Sequence, residues 1–108
     1  MIDREDIRTL IDSHSRKFTV EHIYQEFAEL IVTVSKLEIR RDEIIRHGAS
    51  PHIADSLCVQ ETGKLYEELA DVLIMVEIVR EMYGIDDSRL GFEIEEKMVE
   101  NLQRARSC

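Results

Sequence analysis

The chain has 108 residues, with 23 acidic against 14 basic side chains and a formal net charge of −9. That balance argues against nonspecific binding to nucleic acid or to an anionic membrane, but a divalent cation can still bring a small phosphate ligand to an acidic site. No apolar run reaches the roughly 20 residues that span a bilayer, and with no tryptophan and 6% aromatic residues, platforms for base stacking are scarce.

The opening Ile2-Asp3-Arg4-Glu5-Asp6 is too charged for a signal peptide. Two cysteines, Cys58 and Cys108, make no disulfide framework. One cytoplasmic domain over residues 1–108, with free thiols, is expected. Four glycines, one proline and weak alternation of apolar residues indicate an all-α fold.

A short amphipathic helix is predicted over 3–12, with Ile7, Leu10 and Ile11 inward. Ser13 to Lys17 reads as a connector and Thr19 as the N-cap of a long helix ending near Asp42. The core stripe of that helix is Ile23, Phe27, Leu30, Ile31, Val34 and Leu37. His47-Gly48-Ala49-Ser50-Pro51 is the strongest break, with Ser50 capping and Pro51 opening a short segment over 51–58. Cys58 there reads as a small buried hydrophobe.

A third major helix is predicted from Lys64 to Tyr83, with Gly84 as its C′ residue. Leu65, Leu69, Val72, Leu73, Ile74, Met75, Val76, Ile78, Val79 and Met82 make it apolar over most of its circumference. Burial on more than one side, and hence a homodimer or homotetramer, follows as an expectation. A last helix begins at Asp86 or Asp87 and runs to about Arg104, with Phe92, Ile94, Met98 and Leu102 as its apolar positions.

Within the two strongest helices stand two pairs of acids, Glu26-Phe-Ala-Glu29 and Glu68-Leu-Ala-Asp71. Carboxylates three apart lie about 60° apart around a helix and share a face. Each pair flanks an apolar stripe, where unpaired carboxylates destabilise the fold unless a cation compensates. No lysine or arginine lies within four residues of Glu26, Glu29 or Asp71, and Lys64 precedes Glu68 in the weaker i,i+4 orientation. Four carboxylates without histidine or cysteine suit Mg²⁺, with Mn²⁺ as a substitute. A di-iron bundle would need Glu-x-x-His, but Ile11, Thr19, Ile44 and Ala49 stand three residues before His14, His22, His47 and His52. His14 and His22 could stand near a pocket entrance, but a surface or capping role is the plainer reading, and Glu61 reads as surface.

Together, Glu26-x-x-Glu29 and Glu68-Leu-Ala-Asp71-Val-Leu-Ile resemble the motifs of the all-α nucleoside triphosphate pyrophosphohydrolases of the MazG-like superfamily, over residues 19–106. Two features depart from that pattern. Gln25-Glu26 replaces the Glu-Glu of many members, and 38 residues, 30–67, separate the pairs. The excess falls at 47–63, a segment that could be a lid, a dimer arm or a base-recognition element. The resemblance implies a four-helix bundle completed by oligomerisation, and Mg²⁺-dependent cleavage of a nucleoside triphosphate between its α- and β-phosphates. It implies Glu26, Glu29, Glu68 and Asp71 as metal ligands, with Glu29 and Glu68 catalytic. It also implies Lys97, Asn101 and Arg104 of the last helix as phosphate-binding groups. Lys36 and Arg40, on one face of the long helix, form a second cationic set. Tyr24, Tyr66, Tyr83 and Phe92 are candidate base contacts. The alternative is a noncatalytic helical dimerisation or nucleotide-binding module whose acids are solvated surface.

Overall fold

The computed structural model describes residues 2–107, which form five helices in chain order. They are α1 (Arg4–Asp12), α2 (Arg16–Arg46), α3 (Pro51–Val59), α4 (Gly63–Met82) and α5 (Asp87–Ser107). No strand occurs among the described residues. Cys108, expected as a free thiol, lies outside them.

The punctuation between helices has local causes. Asp3 caps α1 by accepting from the Glu5 amide, and Ser50 caps α3 by accepting from the Ile53 amide, with Pro51 in the first turn as expected. The α2 and α4 helices both end in glycine. Gly48 and Gly84 have φ of 102° and 58°, which a side chain would strain. The next amides close each end, Ala49 onto the Ile44 carbonyl and Ile85 onto the Arg80 carbonyl, as in a Schellman motif.

Several expectations need correction. The N-cap of α2 is Ser15, which accepts from the Phe18 amide at 3.1 Å. Thr19 lies a turn inside the helix, buried, its hydroxyl donating to the Ser15 carbonyl. Ser15 can cap earlier because nothing between it and Thr19 breaks a helix. The α2 helix also runs past Asp42 to Arg46, since Gly48 is its first stop signal. Leu10, expected inward, faces outward and is 44% exposed. A helix of nine residues seats only one narrow stripe, occupied here by Ile7 and Ile11.

The long helices α2 and α4 form an antiparallel pair. Arg40 reaches Glu61 near one end, while Ile23 packs on the core beside Met75 and Ile78 near the other. The α3 helix returns along the C-terminal half of α2. Arg41 pairs with Asp55 at 2.6 Å, and the fully buried Ala54 sits on this helix. The 47–63 segment therefore lies alongside residues 37–41 of α2, where the half-buried Cys58 thiol approaches the Leu37 carbonyl. The α1 helix packs on α4. Ile7, 1% exposed, joins Met75 and Ile78 in the core, with Ile11, Ile23, Ile74 and Met82 around them. Three ion pairs frame that contact, Arg4–Glu77, Arg4–Glu81 and Arg8–Glu81, and the adjacent guanidinium groups hold both carboxyls below their ordinary range.

The α5 helix packs along none of the other four. An ion pair from Arg80 to Asp87 ties down its first turn, and none of its residues is buried. The radius of gyration is consequently 18.2 Å, against about 13 Å for a compact chain of about 100 residues. On α4, Val72, Met75 and Ile78 are buried, while Leu69, Leu73 and Val76 on the other side remain exposed. Within α2's expected core stripe, Phe27, Ile31 and Val34 are exposed as well.

Because the buried core is so small, one deletion in it should be felt. Ile7→Ala is expected to lower unfolding free energy by about 2–5 kcal/mol. Arg4→Met, which removes partly exposed ion pairs to Glu77 and Glu81, should cost no more than about 1 kcal/mol for each. Urea denaturation followed by circular dichroism checks both; equal losses would contradict this description of the α1–α4 contact.

Candidate metal and phosphate site

The antiparallel register of α2 and α4 turns two sequence motifs into one cluster. Glu26 comes from α2; Glu68 and Asp71 lie one turn apart on α4. Carboxylate oxygens of these three residues all lie within 4.8 Å of one another. Glu26 is 8% exposed and Glu68 only 2%, whereas Asp71 is open to solvent. The trio thus has two buried members and one at its mouth.

Glu26 Oε2 and Glu68 Oε2 are buried without any hydrogen-bond partner. A buried carboxylate oxygen left unsatisfied costs the full desolvation of a charged acceptor. The other oxygens are partnered. His22 Nε2 lies 3.0 Å from Glu26 Oε1, and Lys64 Nζ lies 3.0 Å from Glu68 Oε1. Burial pushes the Glu26 carboxyl above its ordinary range, and the neighbouring charges of Asp71 and Glu29 push it further; the His22 hydrogen bond opposes them. One oxygen of each buried carboxylate is therefore served by protein, and the other is free to ligate.

Glu29 stands beside this trio rather than in it. One turn beyond Glu26, it is half-buried and accepts from Gln25 Nε2 at 3.2 Å. With Glu68 it lines a groove of about 390 Å³ between α2 and α4, whose other walls include Gln25, Thr33, Lys36 and Lys64. Two carboxylates and two lysines thus border one groove, with the Lys64 ammonium already against Glu68.

Of the remaining expected binding residues, Lys36 reaches the groove. Arg40 is engaged by Glu61 at 3.3 Å, so Glu61 belongs to an ion pair, away from the acidic trio. Lys97, Asn101 and Arg104 lie on α5 and are not brought to the trio within one chain; Lys97 pairs with Glu100 on its own helix at 3.5 Å. Tyr24, Tyr66, Tyr83 and Phe92 are all exposed, and Tyr83 lies under the Arg16 guanidinium.

Two site residues went unassigned in the sequence. His22 is no mere surface or capping residue: its ring lies tilted beside Phe18 and contacts Glu26. Its i,i+4 spacing to Glu26 was the available signal. Lys64 pairs with Glu68 despite the weaker orientation, so part of the expected missing positive charge comes from the chain itself.

In comparisons with protein-family models, with curated proteins and with solved structures, nothing matches this chain.

The raised Glu26 carboxyl gives a stability test with a defined sign. Its folded pKa lies above the unfolded one, so ionisation destabilises the fold. Stability is lost as pH rises from the unfolded value through the folded one, and stays lost above it. In chelating buffer at about pH 8, Glu26→Gln should raise the melting temperature by a few degrees, on a scale of about 4–8 °C per kcal/mol. The gain should fade as pH drops below the unfolded value, where the wild-type carboxyl becomes protonated in both states. A variant less stable than wild type at about pH 8 would overturn this electrostatic description.

Proposed function

We propose that this chain is a Mg²⁺-dependent nucleoside triphosphate pyrophosphohydrolase with a MazG-like helical bundle. Such an enzyme would release a nucleoside monophosphate and pyrophosphate and serve in control of the nucleotide pool. One observation carries the reading: two buried carboxylates, each with an oxygen that has no partner, gather with Asp71 beside a groove that bears two lysines. An all-oxygen donor set of this kind suits a hard divalent cation, and a hard cation is the usual companion of phosphate groups.

Glu26, Glu68 and Asp71 are the residues that would hold Mg²⁺, with Glu29 completing the set at its edge. When bound, the cation would neutralise phosphate oxygens and make a water molecule more acidic. The protein's own contribution follows from the residues. Glu29 sits outside the tight trio and keeps a carboxylate oxygen to accept the proton of the attacking water. The water oxygen bonds to one of the two phosphorus atoms, and the bridging oxygen departs with the other phosphate group. Gln25 fixes the orientation of Glu29 by donating to it. His22 and Lys64 each occupy one oxygen of a buried carboxylate and so direct the other oxygen inward. Lys36, which lines the groove, supplies positive charge for the phosphate tail.

The exposed apolar residues support a homodimer or homotetramer. Phe92, Ile94, Met98, Val99 and Leu102 of α5 have no cover, and neither do Leu69 and Leu73 of α4. Covering them with a second copy would complete a four-helix bundle. Lys97, Asn101 and Arg104 would then bind phosphate across the subunit boundary.

A panel of ribo- and deoxyribonucleoside triphosphates, incubated with Mg²⁺ and with chelator, tests the reaction class. Mg²⁺-dependent release of pyrophosphate with the matching monophosphate is expected. Asp71→Asn and Glu68→Gln should each reduce turnover by more than about 100-fold, since even groups behind metal ligands often account for 10–100-fold. Release of orthophosphate would indicate a different phosphohydrolase. No turnover across the panel would favour the noncatalytic helical module.

A further inference from the structure

Lys64 is placed where helix energetics do not favour it. It lies in the first turn of α4, the positive end of the helix dipole, and its i,i+4 pairing with Glu68 runs in the weaker direction. Its ammonium nonetheless sits 3.0 Å from Glu68 Oε1, while Glu67 is only a loose second partner at 3.8 Å. The two side chains differ sharply in freedom. That of Glu68 is 3% exposed and that of Lys64 is 65% exposed. A fixed, buried anion is thus held by a cation on a long, solvent-reaching stem.

The surroundings give that stem a second position. Lys64 borders the groove that contains Glu29, Glu68 and Lys36. It also borders an adjoining hollow of about 220 Å³ lined by Thr33, Lys36, Leu37 and Glu61. Lys36 lines both spaces, so two ammonium groups flank the boundary between them. A divalent cation at the trio would share Glu68 with the Lys64 ammonium, and their like charges repel. Leaving Glu68, the ammonium can stay within the two spaces that Lys36 also lines.

We infer that Lys64 is an exchangeable cation: it balances Glu68 until a divalent metal binds, then moves with Lys36 onto the distal phosphates of the substrate. The inference rests on the pyrophosphohydrolase reading and deepens it. It makes the site selective for a tail of two further phosphates beyond the one nearest the metal, because paired ammonium groups match a pyrophosphate unit better than a single phosphate. It also makes pyrophosphate the product held more tightly in the groove.

Mn²⁺ and inorganic pyrophosphate are the probes. Mn²⁺ binding is read by electron paramagnetic resonance, and pyrophosphate binding to the Mn²⁺-loaded protein by calorimetry. Lys64→Met should bind Mn²⁺ about fivefold more tightly, because a competing charge is removed. It should bind pyrophosphate about tenfold more weakly, because a charge-assisted contact is lost. Lys36→Met should weaken pyrophosphate similarly and leave Mn²⁺ affinity unchanged. Lys64→Arg, which keeps the charge, should hold both affinities within about twofold of wild type. Lys64 is exposed, and circular dichroism verifies that each variant is folded. If wild type binds Mn²⁺ but Lys64→Met changes neither affinity, the exchange is wrong and the metal site stands. If wild type binds no Mn²⁺, the metal-site reading and this inference fall together.

Discussion

Two glutamates buried in the seam between antiparallel helices are the constraint around which this molecule is arranged. Glu26 and Glu68 face each other from α2 and α4 with Asp71 beside them, and one oxygen on each glutamate has no partner. Burying like charges in a seam costs stability. The chain retains them and surrounds them with devices that limit the cost. His22 and Lys64 bind the outer oxygens, Asp71 stays in solvent, and the α1 contact with α4 adds a small apolar core at the neighbouring end. A helix pair selected for stability alone would place leucine or isoleucine at these positions. The proposed cation site rests on carboxylates standing at these positions instead.

The long α2–α4 seam also explains the shape of the rest. Residues 47–63 lengthen the connection between the two acidic motifs, and α3 is laid back along residues 37–41 of α2. That placement leaves the groove beside Glu29 and Glu68 open along its lysine-lined side. The α5 helix instead carries its apolar residues away from the other helices, tied mainly at its first turn by the Arg80–Asp87 pair. The chain therefore exposes more large apolar surface than a monomer of this size usually shows. The proposed homodimer or homotetramer would cover that helix with a second copy.

Much of this was legible from residue order. Helical periodicity located the helices, and Ser50-Pro51 and Gly84 located their ends, because capping chemistry is local. The two Glu-x-x-acid pairs were visible because their flanking residues are apolar, which marks the carboxylates as lying at the edge of a core. Other features depended on tertiary placement. Ser15 and Thr19 are both competent caps, and periodicity does not choose between them. Leu10 belongs to an apolar stripe, but a nine-residue helix seats only part of it against α4. The partition of the four acids into a trio and a flanking Glu29 depends on the relative rotation of α2 and α4, which no single-helix pattern contains. His22 and Lys64 were readable in spacing alone, yet their value comes from the burial of Glu26 and Glu68.

The claim that the unpartnered glutamate oxygens form a divalent-cation site is open to a direct measurement. Crystals soaked in Mn²⁺ and measured near the manganese absorption edge would locate the ion by anomalous scattering. An anomalous peak among Glu26, Glu68 and Asp71, lost in Asp71→Asn crystals, is the expected result. Manganese bound only at exposed acids elsewhere, or no peak in the seam at saturating Mn²⁺, would contradict the account.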